Sequence, residues 1–268
     1  MATGEFHKMH GLGNDFVVID ARARAVEMPP ARVRAIANRK LGIGCDQLII
    51  LKPSDRADLA MRIYNADGGE VEACGNASRC VVALLGRNIS IETAGGMISG
   101  KLSDSGATID MGEPKFEWQD IPLAFAMDSA AMPLAWEELA SPMAVNVGNP
   151  HAIFFVADSN SVDLERLGPI IEHDAAFPER VNVNVASIEN GEIKLRVWER
   201  GVGLTRACGT GACATAVAAI RQGKANSPVI VHLPGGKLTI DWAPGQPVIM
   251  SGSAIHVFKG QANWDDFG

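Results

Sequence analysis

Apolar positions along this chain fall in short runs separated by Gly, Pro, Asn and Asp, not in long helical stripes. These runs predict strands over Phe16–Ile19, Gln47–Leu51, Leu59–Tyr64, Ile89–Glu92, Ala107–Met111, Met143–Val147, Ala152–Val156, Ile193–Trp198, Val229–Leu233, Lys237–Asp241 and Ala254–Phe258. Helical periodicity is rarer and predicts Ala31–Lys40, Asn76–Leu85, Leu164–Glu172 and Thr210–Arg221. Gly86 and Gly223 stop the second and fourth of these. The small residues of Ala212–Ala219 suit a helix sheathed by a sheet. The predicted fold class is α+β, with mostly antiparallel sheets or barrels wrapped around central helices.

The chain also repeats itself. Slid on itself by 134 residues, Arg62-Ile63-Tyr64-Asn65 falls on Arg196-Val197-Trp198-Glu199, Gly69 on Gly203, and Ala73-Cys74-Gly75 on Ala207-Cys208-Gly209. Upstream, Gly13-Asn14 matches Gly148-Asn149; downstream, Thr93-Ala94-Gly95-Gly96 matches Leu233-Pro234-Gly235-Gly236. Three matches in one order predict two pseudo-symmetric domains. The first, residues 1–113, carries Cys74, and residues 253–268 return to it as a strand. The second, residues 114–252, carries Cys208. The stretch from Glu113 to Pro142, with Pro114, Pro122, Pro133 and Pro142, is the expected crossing between halves.

Composition narrows the function. The chain has 268 residues, 47% of them hydrophobic, and a net charge of -7 with no basic stretch. Neither a nucleic-acid nor a membrane partner is expected. No run approaches a membrane span, and the first residues lack a signal core, so the expected location is cytoplasmic. The five cysteines form no C-x-x-C pair and the six histidines no H-E-x-x-H, so neither a disulfide framework nor a metal site is expected. Cys45, Cys80 and Cys213 read as core, and His7, His10, His173, His232 and His256 as structural.

Cys74 and Cys208 are different, because each stands where a loop hands over to a helix. Unpaired N–H groups and the positive end of the dipole lie there, and both lower a thiol's pKa toward neutrality. The same N–H groups, from Gly75-Asn76 and Gly209-Thr210, can cradle a carboxylate. Two halves facing each other would bring both sulfurs to one ligand. Inversion of a carbon centre needs that pair: one group removes a proton and the other returns one to the opposite face.

The motifs Lys8-Met9-His10-Gly11-Leu12-Gly13-Asn14-Asp15-Phe16, Asn65-Ala66-Asp67-Gly68, Ala73-Cys74-Gly75-Asn76, Gly148-Asn149-Pro150-His151, Glu179-Arg180-Val181-Asn182, Glu199-Arg200-Gly201 and Ala207-Cys208-Gly209-Thr210-Gly211-Ala212-Cys213 together resemble the diaminopimelate epimerase family. The resemblance runs from about residue 6 to the C-terminus. It implies a cofactor-independent epimerase that interconverts LL- and meso-diaminopimelate on the way to lysine and peptidoglycan, commonly as a homodimer. It makes Cys74 and Cys208 the acid/base pair, with His151 and Glu199 beside the thiols. Gly75, Asn76, Gly209 and Thr210 would hold the reacting carboxylate. Asn14, Gln47, Asn65, Asn149, Asn182, Glu199 and Arg200 would bind the rest of the substrate, mainly its distal end. One guanidinium and several carboxamides suit a distal zwitterion. Departures from the family pattern at Cys45, Ala77 and Leu204 remove no acting group.

Two other readings compete. One keeps the fold but changes the substrate to proline, hydroxyproline or histidine; the proline type has His where Asn76 stands. The other is a thiol redox protein or a binding module that kept the fold without catalysis, although both thiols are present.

Overall fold

Short apolar runs broken by turn residues can bury their faces only by pairing, and here they pair within two units. In the computed structural model, which describes residues 3–72, 74–103 and 106–267, one unit comprises Met1–Ile109 with Gly252–Gly268 and the other Asp110–Ser251. Ala73, of the first Ala-Cys-Gly motif, lies outside the described residues.

The first unit runs β1 (Thr3–Gly11), β2 (Asn14–Asp20), α1 (Pro30–Ala37), β3 (Gln47–Lys52), β4 (Leu59–Asn65), β5 (Glu70–Val71), α2 (Gly75–Leu85), β6 (Ile89–Thr93), β7 (Gly96–Ser103) and β8 (Gly106–Asp110). β1–β2 are antiparallel, β2–β3 parallel, β3–β4 and β4–β5 antiparallel, β4–β6 parallel and β6–β7 antiparallel. Alternate residues point to opposite faces of the sheet. Val17, Ile19, Leu48 and Ile50 pack with Val33 and Ile36 of α1. α2 is buried from Asn76 to Val82.

The second unit runs β9 (Ala135–Trp136), β10 (Leu139–Ala140), β11 (Met143–Asn146), β12 (Pro150–Phe155), α3 (Leu164–Glu172), β13 (Asn182–Glu189), β14 (Glu192–Glu199), β15 (Gly203–Thr205), α4 (Gly209–Arg221), β16 (Val229–Leu233), β17 (Gly236–Asp241) and β18 (Ile249–Gly252). Its pairings repeat those of the first unit in order and sense: β11–β12 antiparallel, β12–β13 parallel, β13–β14 and β14–β15 antiparallel, β14–β16 parallel, β16–β17 antiparallel. Phe154, Val183 and Val185 pack with Leu167 and Ile171 of α3, while α4 is buried from Gly211 to Ala219. The last strand, β19 (Ile255–Asn263), returns to the first unit and pairs antiparallel with β1.

Several predicted boundaries shift for local reasons. α1 stops at Ala37, not Lys40, because Asn38 turns extended and its Oδ1 accepts from the N–H groups of Lys40 and Leu41. The prolines of the 113–142 stretch do not mark a bare crossing. Ile121, Leu123, Met132 and Leu139 are buried in the α3 core of the second unit. β1, β7 and β13 are strands that the pattern of the chain did not predict. β1 shifts register against β19 between Lys8 and Met9, and such a bulge breaks the two-residue period. β7 is mostly exposed. β13 places asparagines at buried positions, and Asn is depleted in strands.

Candidate active site

The duplicated pairing puts the candidate residues of each unit in equivalent places. In the first, Phe16 pairs with Gln47 and Gln47 with Asn65. In the second, His151 pairs with Asn182, and one step past the Val183–Trp198 pair Asn182 faces Glu199. Both α2 and α4 then begin immediately after a cysteine.

Cys74 is the N-cap residue of α2 in extended conformation, with φ -148° and ψ 110°, and makes no side-chain capping hydrogen bond. It is half-buried, and its Sγ lies 3.9 Å from Asn14 Oδ1. Asn76 Nδ2 donates to the same oxygen at 3.3 Å, and Arg79 Nη2 to Asn76 Oδ1 at 2.7 Å. Asp46 holds the Asn14 turn by accepting from Asn14 Nδ2 at 3.1 Å and from the Asp15 N–H at 3.0 Å. Gln47 Nε2 donates to Asn65 Oδ1 at 2.9 Å. Gln47 Oε1, buried, meets no donor among the described residues.

Cys208 caps α4 in the same conformation, φ -127° and ψ 108°, and its Sγ accepts from the Gly211 N–H at 3.4 Å. Thr210 Oγ1 lies 3.5 Å away. Burial pushes this thiol's pKa well above its ordinary value, and the Glu199 charge adds to the shift. Thr205 Oγ1 donates to Glu199 Oε1 at 2.5 Å. Burial raises the Glu199 pKa, and the polar neighbours Thr205 and Cys208 oppose the rise. Burial therefore favours the protonated thiol at this helix start.

His151 is fully buried, and burial pushes its pKa down to about 4. Its Nδ1 lies 3.1 Å from Asn184 Oδ1 and its Nε2 2.9 Å from Asn149 Oδ1. Asn182 Nδ2 donates to the Pro150 carbonyl at 2.8 Å, and Asn182 Oδ1 accepts from the Arg200 N–H at 2.9 Å. The Arg200 guanidinium donates to the Glu179 carbonyl at 2.9 Å. Glu172 braces the turn beyond, accepting from Trp198 Nε1 at 2.7 Å and from the Gly201 N–H at 2.8 Å.

Every residue singled out in the sequence thus lies at a strand end or helix start of its own unit. Sequence reasoning missed Arg79, Glu172, Asn184 and Thr205. Asn184 alone left a signal, an Asn inside an otherwise apolar run. Among the described residues no three His, Cys, Asp or Glu side chains gather as a metal site, and no helix is long and apolar enough to cross a membrane.

A family model described as diaminopimelate epimerase matches residues 6–117 and 143–257. A protein named diaminopimelate epimerase from Rhizorhabdus wittichii is 64% identical over 265 residues, covering 98% of this chain and 97% of its own. One from Zymomonas mobilis is 55% identical, covering 99% of each. Among solved structures, a phenazine biosynthesis protein of the PhzF family from Enterococcus faecalis superposes with a TM-score of 0.70 at 14% identity, over 97% of this chain and 99% of that one. A hydroxyproline epimerase from Agrobacterium vitis gives 0.67 at 16%, over 98% and 91%. At such identities these two share the fold.

Proposed function

This chain belongs to the diaminopimelate epimerase family, and on that premise we propose that it interconverts LL- and meso-diaminopimelate by thiol proton transfer. One sulfur, as thiolate, takes the α-proton and becomes a thiol. The other, as thiol, gives its proton to the opposite face of the same carbon and becomes a thiolate. The net result is inversion, with the two sulfurs' roles exchanged for the return direction. Between the two transfers the α-carboxylate carries added negative charge. The N–H groups of Gly75-Asn76 and Gly209-Thr210 are the donors suited to it.

The observation that carries this reading is a duplicated strand order in which a cysteine caps the central helix of each half. The halves differ in what surrounds the sulfur. In this reading Glu199 takes and returns the Cys208 proton, supported by the raised pKa values of both groups, with His151 buried in the same unit. Asn14, Gln47, Asn65, Asn149, Asn182 and Arg200 offer the carboxamides and single guanidinium that a distal amino-acid end requires. The unmet Gln47 Oε1 is an acceptor suited to a ligand N–H.

A homodimer and a cytoplasmic location belong to the same proposal. Ile255, Val257 and Phe258 of β19 expose apolar surface that a second copy would cover. Sedimentation and cell fractionation test the two.

Turnover of LL-diaminopimelate in D₂O, without added pyridoxal phosphate or metal, should give meso product carrying deuterium at the α-carbon. Cys74→Ala and Cys208→Ala should each abolish epimerisation, and unimpaired turnover in either refutes the two-thiol account. Proline, hydroxyproline and histidine, run beside diaminopimelate, test the substrate.

A further inference from the structure

We infer that Asn184 is a positioning residue: it holds His151 as the Nδ1–H tautomer and ties the ring to the helix start that carries Cys208. The inference rests on the reading of His151 as part of the thiol site.

Asn184 is fully buried on β13. Its Nδ2 donates to the Gly211 carbonyl at 3.0 Å and to Thr215 Oγ1 at 2.9 Å. A carbonyl can only accept, so the amide nitrogen must face Gly211 and Oδ1 must face His151. That oxygen lies 3.1 Å from His151 Nδ1 and cannot donate, so Nδ1 carries the hydrogen. Burial keeps the imidazole neutral, which leaves Nε2 with a lone pair. Asn149 must then turn its amide nitrogen toward Nε2, a half-turn that exchanges two similar atoms. Gly211, which receives Asn184 at its carbonyl, gives its N–H to Cys208 Sγ. Imidazole and sulfur are thus both tied to Gly211, through the two peptide units that meet at its Cα.

The first unit shows that the fold does not need a polar group here. By register, Ile49 pairs with Val18 where Asn184 pairs with Ile153, and Ile49 is fully buried. A buried carboxamide costs free energy unless its hydrogen bonds are met, so an Asn with all three bonds made, in one half alone, belongs to the chemistry of that half.

Histidine ¹⁵N shifts near neutral pH test this, with His151→Gln identifying its signal among the six histidines. The wild type should show a protonated Nδ1 and a bare Nε2. A proton on Nε2, or on both nitrogens, overturns the inference without any variant. In Asn184→Leu the proton should move to Nε2, and kcat should fall roughly 10²-fold with KM within about twofold. A folded Asn184→Leu that keeps Nδ1–H overturns it. Asn184→Asp retains an acceptor for Nδ1–H and should keep the wild-type tautomer even where Asn184→Leu does not fold; an Nε2–H ring in that variant also overturns it. The shifts report the tautomer whether or not the chain turns over, so this failure is separate from failure of the two-thiol reading.

Discussion

Asn65 and Glu199 close equivalent strands of the two halves, Asn65 opposite Gln47 on β4 and Glu199 beyond the Val183–Trp198 pair on β14. The carboxamide accepts from the Gln47 amide nitrogen. Glu199 instead takes a hydrogen bond from Thr205, and its charge helps raise the Cys208 pKa. The same position of the duplicated scaffold thus carries a neutral carboxamide in one half and an ionisable carboxyl in the other.

Glu199→Gln keeps the size of that side chain and removes its basicity. The expected outcome is a kcat lower by roughly 10²–10⁴-fold with an unchanged thermal midpoint. Steady-state epimerisation measures the first and calorimetry the second. A kcat near the wild-type value would remove Glu199 from the proton path.

The two sulfurs should differ in reactivity. Thiolates alkylate, and Cys208 is buried with its pKa pushed up by burial and by Glu199. Burial also raises Cys45 to about 11 and Cys80 to about 12. Cys74 is half-buried at a helix start. Iodoacetamide near neutral pH should therefore label Cys74 first, as read by peptide mass spectrometry. Faster labelling of Cys208 contradicts this ordering.

Buried, neutral His151 makes stability depend on pH with a definite sign. Its folded pKa is depressed to about 4 from 6.5, chiefly by burial. Between those values the unfolded chain binds the proton and the folded one does not. Stability therefore falls as pH drops from 6.5 toward 4 and is unaffected by this group above 6.5. The full effect is about 3 kcal/mol. Urea unfolding across that window should show a shallower loss for His151→Gln than for the wild type, and parallel curves would refute it.

Gly168 lies inside α3, where alanine normally gains about 1 kcal/mol in helix propensity. A Cβ there would stand 2.5 Å from Cγ and Cδ2 of the Trp198 ring. Overpacking of that kind costs about 1–3 kcal/mol, so the clash wins. Gly168→Ala should lower the thermal midpoint, and a higher midpoint would show that the ring yields freely.

Glu172 braces the turn that carries Arg200. Removing it leaves the Trp198 indole and the Gly201 N–H without their acceptor, at a cost of about 1–3 kcal/mol each where they stay buried. Glu172→Ala should lose stability and raise KM, because Arg200 is set by that turn. Kinetics showing an unchanged KM would confine Glu172 to folding.

Much of this was legible beforehand. Strands with period-two runs, such as Ile89–Glu92, and the two helices following the Ala-Cys-Gly motifs could be read because their local pattern matches their burial. The offset of 134 residues already laid Asn65 on Glu199 and Cys74 on Cys208. β1 escaped because a bulge breaks its period, and β13 because its asparagines are buried by contacts from distant residues.

The sequence by itself determined the duplication, the pair of helix-capping thiols and the carboxamides around them, since all of these are questions of residue type and spacing. Only the tertiary structure decided which groups share protons. Asn184 reaches Gly211 across 27 residues and His151 across 33, and the shifts at Cys208, Glu199 and His151 arise from burial. Charge and tautomer depend on what excludes water from a group, and that is set by chain segments far apart in the sequence.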